Sequence, residues 1–143
     1  MNIYLYGNDH VVESTLRSVL NRDNNIVLVT EDQSILDYLG HFPNVTGILD
    51  LALPEQNIYH VPELDHFDVC VAVSNNYLKN LIVSKNLQLV HNVPKAICLS
   101  DDSMSFDLYN SSTFNVINVE NLLANTLASM FPIPVDTNQT RMF

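Results

Sequence analysis

The sequence predicts an α/β domain, a doubly wound three-layer fold around a mostly parallel six-stranded sheet. Three observations predict it. Apolar runs of strand length alternate six times with longer stretches, most of them of helical spacing. Those runs are continuously apolar, as in strands buried on both faces. The chain has 143 residues, which fits one domain of ordinary size that buries a core without staples.

The elements follow in order. Ile3 to Tyr6 is the first strand and ends at Gly7. Val12, Leu16, Val19 and Leu20 recur at helical spacing within Val11 to Leu20, with Asn8 or Asp9 as the cap. Ile26 to Val29 is the second strand. Asp32 caps a helix that carries Ile35, Leu36 and Leu39 on one face and stops at Gly40. Val45 to Leu49 is a third strand. Ala52 to Leu64 is irregular, because Pro54 and Pro62 limit any helix to about two turns. Val69 to Val73 is a buried strand, and Tyr77 to Val90 is the longest helical pattern. Ala96 to Leu99 is the fifth strand, with a short helix at Ser103 to Tyr109. Phe114 to Ile117 is the sixth strand, and Val119 to Phe131 is the last helix, stopped by Pro132 and Pro134. The domain is thus 1–131, and 132–143 is a tail or linker.

Charge narrows the function. Charged residues are 15% of the chain, 16 acidic against 6 basic, for a net charge of −10. The basic residues (Arg17, Arg22, Lys79, Lys85, Lys95, Arg141) form no cluster. A phosphate backbone needs concentrated positive charge, so nucleic acid is excluded as a general partner. Anionic membrane surfaces are disfavoured for the same reason. No apolar run approaches membrane-spanning length and the N-terminus does not read as a signal peptide, so direct membrane insertion is not expected. Cys70 and Cys98 lie in strand-like runs and read as buried thiols of a cytoplasmic protein, with a disulfide between adjacent strands as the alternative.

Doubly wound sheets bind ligands at the carboxyl ends of their strands, at the topological switch point. The first turn reads Gly7-Asn8-Asp9-His10-Val11-Val12. A Rossmann dinucleotide fingerprint wants glycine at 7, 9 and 12, and only Gly7 stands. Asp9 adds bulk and negative charge where a pyrophosphate would approach, and Val12 adds bulk where helix and sheet should touch. The turn reads as a phosphate cradle or as an acid-capped helix start. NAD(H) in the usual pose is disfavoured. After the second strand, Thr30 takes the place of the ribose-binding acid, and Glu31 follows one residue late. Ser74, Asn75 and Asn76 offer amide and hydroxyl groups to an adenine or ribose edge, or else cap the long helix. Asp50 ends the third strand and is placed to accept from an adenine amino group, or starts the next turn. Asp9, Glu31, Asp50, Asp101 and Asp102 fall on one edge of the predicted sheet and would make a negative crevice. That suits adenosine, a nucleotide carrying a divalent cation, or no ligand.

Chemistry beyond binding is not signalled. His10, His41, His60, His66 and His91 show no ligand spacing, so no metal site is expected. His10 lies in the phosphate-loop turn, where it would contact a phosphate or be solvated. No nucleophile elbow or Walker motif occurs, and no enzyme is expected.

The residues resemble the TrkA-N family, the nucleotide-binding half of RCK (regulator of K⁺ conductance) domains, over about Met1 to Phe131. The best stretch runs without a gap from Asp68 to Ile82, where Asp68, Ser74 and Asn80 fall on the family's Asp, Thr and Asn. Leu49-Asp50, Pro54-Glu55 and Val93-Pro94-Lys95 resemble further family positions, as do Asn115-Val116-Ile117 with Leu122, Leu123 and Leu127. Two fingerprint glycines are absent, and Leu99 stands at a characteristic arginine. The resemblance implies a Rossmann-like regulatory domain that binds an adenine nucleotide or nucleoside through Gly7, Asn8, Asp9, His10, Thr30, Glu31, Asp50, Ser74, Asn75 and Asn80. It implies a membrane K⁺ channel or transporter as partner, and a homodimer. The alternative is a degenerate Rossmann-like interaction or dimerisation domain that no longer binds NAD(H).

Overall fold

A computed structural model describes residues 1–50, 66–101 and 109–131. The strands are β1 (Asn2–Tyr6), β2 (Asn25–Thr30), β3 (Val45–Leu49), β4 (Val69–Ala72), β5 (Lys95–Ser100) and β6 (Phe114–Asn118). The helices are α1 (His10–Val19), α2 (Gln33–Leu39), α3 (Tyr77–His91) and α4 (Val119–Met130). All six strands are parallel, in the order β3-β2-β1-β4-β5-β6. This is the Rossmann-like arrangement, and its switch point lies between β1 and β4. The stretches expected to be irregular around Ala52 to Leu64 and helical at Ser103 to Tyr109 lie almost wholly outside the described residues, as does the tail at 132–143.

Both faces of the sheet are buried, which is why its strands read as continuous apolar runs. On one face Ile3, Leu5, Ile26, Leu28, Val71 and Val73 pack against Val12 and Leu16 of α1 and Leu39 of α2. On the other, Tyr4, Tyr6, Cys70, Ala72, Ala96 and Cys98 pack against Val83 and Leu87 of α3. Tyr4 meets Phe67 edge to face at 5.4 Å. At the opposite end of the sheet from the crevice, the Asp68 carboxylate accepts from the Asn2 N–H at 2.7 Å, joining β1 to β4. That bond, helped by His66, holds the carboxyl below its usual range.

Local chemistry sets the helix ends. Asp9, Asp32, Asn76 and Asn118 each accept a backbone N–H in the first turn of α1, α2, α3 and α4. Asn92 ends α3 in the left-handed region at φ 54°, where asparagine is tolerated. Gly7 is fixed by packing, since a Cβ there would lie 2.6 Å from the Cβ of Val12. The bulk that Val12 brings to the third fingerprint position is thus housed in the space Gly7 leaves. Gly7→Ala is expected to destabilise the fold by about 1–3 kcal/mol in urea unfolding, the usual range for overpacking, with part recovered in Gly7→Ala/Val12→Ala.

Cys70 and Cys98 are free and buried on adjacent strands, as expected of unpaired thiols. Burial pushes each thiol up to about 12. At pH 8 only roughly one in 10⁴ is then a thiolate, the form that reacts. Ellman's reagent should therefore count no fast thiol in the native protein and two after denaturation in guanidinium. Fast native labelling would show that this part of the core opens.

Candidate functional site

The crevice at the switch point is bounded by the turn after β1 and the turn after β4. Asp9 caps α1, its carboxylate accepting from Val11 N at 3.0 Å while its carbonyl accepts from Val12 N at 3.1 Å. The head of α1 thus carries a resident negative charge. A helix dipole attracts an anion by about 0.3–2 kcal/mol. Two unit negative charges 4 Å apart repel by about 4 kcal/mol at an effective dielectric constant of 20. A pyrophosphate held that close to Asp9 would lose more to it than the dipole returns.

Asn8 reaches across the switch point. Its Nδ2 donates to Asn75 Oδ1 at 3.0 Å, and its Oδ1 accepts from Asn75 N at 3.2 Å. A second link crosses beside it. Lys79 Nζ, from the first turn of α3, donates to Glu31 Oε1 at 3.0 Å, and the Tyr6 hydroxyl donates to the same oxygen. Lys79 also lies 5.5 Å from the centre of the Tyr6 ring. Burial first, then the bond to Glu31, push the Tyr6 hydroxyl well above the ordinary phenol range, so it remains a donor. Glu31 is therefore engaged by a cation and a hydroxyl.

Ser74 and Asn80 are fully buried and bond to each other. Asn80 Oδ1 accepts from Ser74 N at 3.0 Å and from Ser74 Oγ at 2.5 Å. Asn80 Nδ2 donates to Ser74 O at 2.9 Å and to Leu99 O at 3.0 Å. Two acceptor and two donor positions are filled, which is the capacity of a carboxamide. Thr30 is buried too, its hydroxyl accepting from Asp32 N at 3.2 Å and its carbonyl from Asp50 N at 2.8 Å. Asp50 is 3% exposed and lies under the rim.

His10 is exposed at the start of α1. With Asp9 and Glu13 it lines an open groove of about 470 Å³ between α1 and α2, whose other side is Asp32, Ile35 and Tyr38. Two bonds from Ser34, the hydroxyl's first and then the backbone N–H, hold the Asp32 carboxyl below its usual range. Among the described residues no group of three His, Cys, Asp or Glu side chains is arranged to hold a metal ion. No helix in them is long and apolar enough to cross a membrane.

Of the ten expected site residues, Glu31 joins the link to Lys79, Thr30 and Asp50 are buried, Gly7 abuts Val12, and the other six fall into three sets. Asn8 and Asn75 meet across the crevice, Ser74 and Asn80 form a buried pair beneath it, and Asp9 and His10 face the groove beside it. Tyr6 and Lys79 were not singled out in the sequence. The signal for them was thin: Tyr6 is the last residue of its strand, and Lys79 is one of only six basic residues. No protein-family model matches this chain, and no curated protein matches it in sequence.

The Asn80 and Asn8 bonds should differ in weight. Asn80→Ala strands buried partners at about 1–3 kcal/mol each, so a loss of more than about 2 kcal/mol is expected in chemical denaturation. Asn8→Ala exposes its partners to water and should cost under about 1 kcal/mol. Equal losses would mean that the crevice bonds are as sheltered as the buried pair.

Proposed function

We propose that this chain is a Rossmann-like regulatory module of the TrkA-N kind that acts through protein contacts and no longer holds NAD(H) in the usual pose. The observation that carries this reading is the crevice at the switch point, spanned by Asn8–Asn75 and Glu31–Lys79, with the Asp9 carboxylate at the head of α1. A dinucleotide laid there must break two links and sit against a fixed negative charge. The partner to which the resemblance points is a membrane K⁺ channel or transporter, and the module works there as a homodimer in the cytoplasm. The gapless stretch from Asp68 to Ile82 supports the kinship.

A second reading keeps an adenine nucleoside or nucleotide as ligand but moves it into the groove between α1 and α2. Its support is Tyr38, a ring 59% exposed beside that groove, with Asp9 and Asp32 at hand for ribose hydroxyls. This site would favour a ligand of low negative charge.

Thermal unfolding with NAD⁺, NADH, ATP, ADP, AMP, adenosine and cyclic dinucleotides separates the readings. A ligand at a hundred times its Kd adds about 2.7 kcal/mol, several degrees in a domain of this size. No shift is expected with NAD⁺ or NADH. A clear shift with either would overturn the closed-crevice reading. A shift with adenosine that Tyr38→Ala abolishes would establish the second.

A further inference from the structure

The sheet is open to pairing at β3. Among the described residues this strand has a neighbour, β2, on one side only. The register fixes which of its backbone groups face outward. The Asn44 carbonyl accepts from Ile26 N at 2.9 Å, and Asp50 N donates to the Thr30 carbonyl at 2.8 Å, so both face β2. Backbone groups alternate sides along a strand. Thr46 and Ile48 therefore also face β2, while Val45, Gly47 and Leu49 face away from it. Val45 N turns back to the Phe42 carbonyl at 3.2 Å. The N–H groups of Gly47 and Leu49 and the carbonyls of all three point outward.

Nothing on the strand blocks that edge. Native edges are blunted by charge, proline, bulges or cover. Here the register with β2 runs one to one from Val45 to Leu49, without a bulge. Pro43 precedes the strand, and no Asp, Glu, Lys or Arg occurs from Tyr38 to Leu49. Asp37, just before that stretch, is held along α2 by Gln33, whose Nε2 donates to it at 2.9 Å. Gly47 is exposed and Leu49 is 36% exposed, so the edge can be reached.

Charge and sequence indicate the occupant. The chain carries a net charge of −10, so two copies repel wherever acidic surfaces face. At this neutral edge they do not. Val45-Thr46-Gly47-Ile48-Leu49 also matches itself when run antiparallel about its central glycine. Val45 then stands opposite Leu49 of the second copy, and Thr46 opposite Ile48, apolar and β-branched pairs of the kind that stabilise sheets. The outward groups fall in step. Gly47 exchanges both of its bonds with the other Gly47, and each Leu49 N–H meets the other Val45 carbonyl. A Cβ at Gly47 would lie 2.9 Å from Leu36 Cδ2, so α2 sits directly over the centre of the pairing. The two-fold axis thus brings two half-buried Leu36 side chains together on one face.

We propose that β3 is a self-pairing edge. Two copies of this chain join β3 to β3, antiparallel about Gly47, into one continuous sheet. The contact is isologous, each copy giving the strand that it receives. The inference rests on reading the chain as a module that works as a homodimer, and it assigns the surface.

The test reads the solution mass of the full chain by sedimentation equilibrium and its amide hydrogen exchange by NMR. The wild type is expected at twice the chain mass at high micromolar concentration, dissociating on dilution. The Gly47 and Leu49 amides are expected to exchange more than about tenfold slower in the dimer than in the diluted protein. Leu49 belongs to neither core, so Leu49→Glu and Leu49→Pro are expected to fold. Leu49→Pro removes an outward donor, which an edge strand tolerates. Both variants are expected at one chain mass with unchanged far-ultraviolet circular dichroism. A wild-type monomer overturns the proposal. So does a dimer that both variants retain, or one whose Gly47 and Leu49 amides exchange as fast as in the monomer. The exchange result decides even where a variant is less stable. A dimer that both variants retain removes the edge pairing and leaves the homodimer standing. A thermal shift with NAD⁺ or NADH removes the closed crevice and leaves the pairing untouched.

Discussion

The Asn80 carboxamide lies where the end of β4, the start of α3 and the end of β5 converge, and it meets them through four hydrogen bonds. In a site shielded from water each bond fixes a position, because the alternative is an unpaired buried group. The turn after β4 is thereby held in one place. From that place Asn75 reaches Asn8, and the first turn of α3 brings Lys79 to Glu31. The two links across the crevice thus depend on a group that touches neither. Tyr6 completes the arrangement from below, since its ring fills the core and its hydroxyl emerges at Glu31.

The acidity of the chain is distributed differently from what a row of rim carboxylates implies. Asp9 and Asp32 are absorbed by helix starts, Glu31 is paired with Lys79, and Asp50 is buried beside Thr30. Of the other two acids assigned to the rim, Asp101 is exposed and Asp102 lies outside the described residues. The carboxylates of Asp9, Glu31 and Asp32 therefore act one at a time, each on its own donors. The groove between α1 and α2 is where Asp9, Glu13 and Asp32 come nearest to acting together.

Much of the fold was legible in the sequence because periodicity is a local property. The apolar run at Ile26 to Val29 and the Asp32 and Gly40 bounds of α2 can be read within a few residues of each other. The alternation and the handedness of crossovers left few topologies, and the order among them comes from the structure. The site was legible only in part, because its bonds join distant residues. Asn8 and Asn75 are 67 positions apart, and Glu31 and Lys79 are 48 apart. No local pattern announces such pairs. Ser74 stands out as a polar residue at a strand end and Asn80 through the family resemblance, yet nothing in their spacing says that they bond to each other. The last helix was legible as a helix. None of its residues is buried, a tertiary outcome that its apolar spacing does not announce.

The carboxylate at the head of α1 has one more consequence. In a dinucleotide-binding domain the helix start is completed by the ligand, so the folded population rises and falls with the ligand's concentration. Here Asp9 completes it from within the chain. The first turn of α1 therefore needs no bound anion to satisfy that donor, and its cap forms with the fold itself.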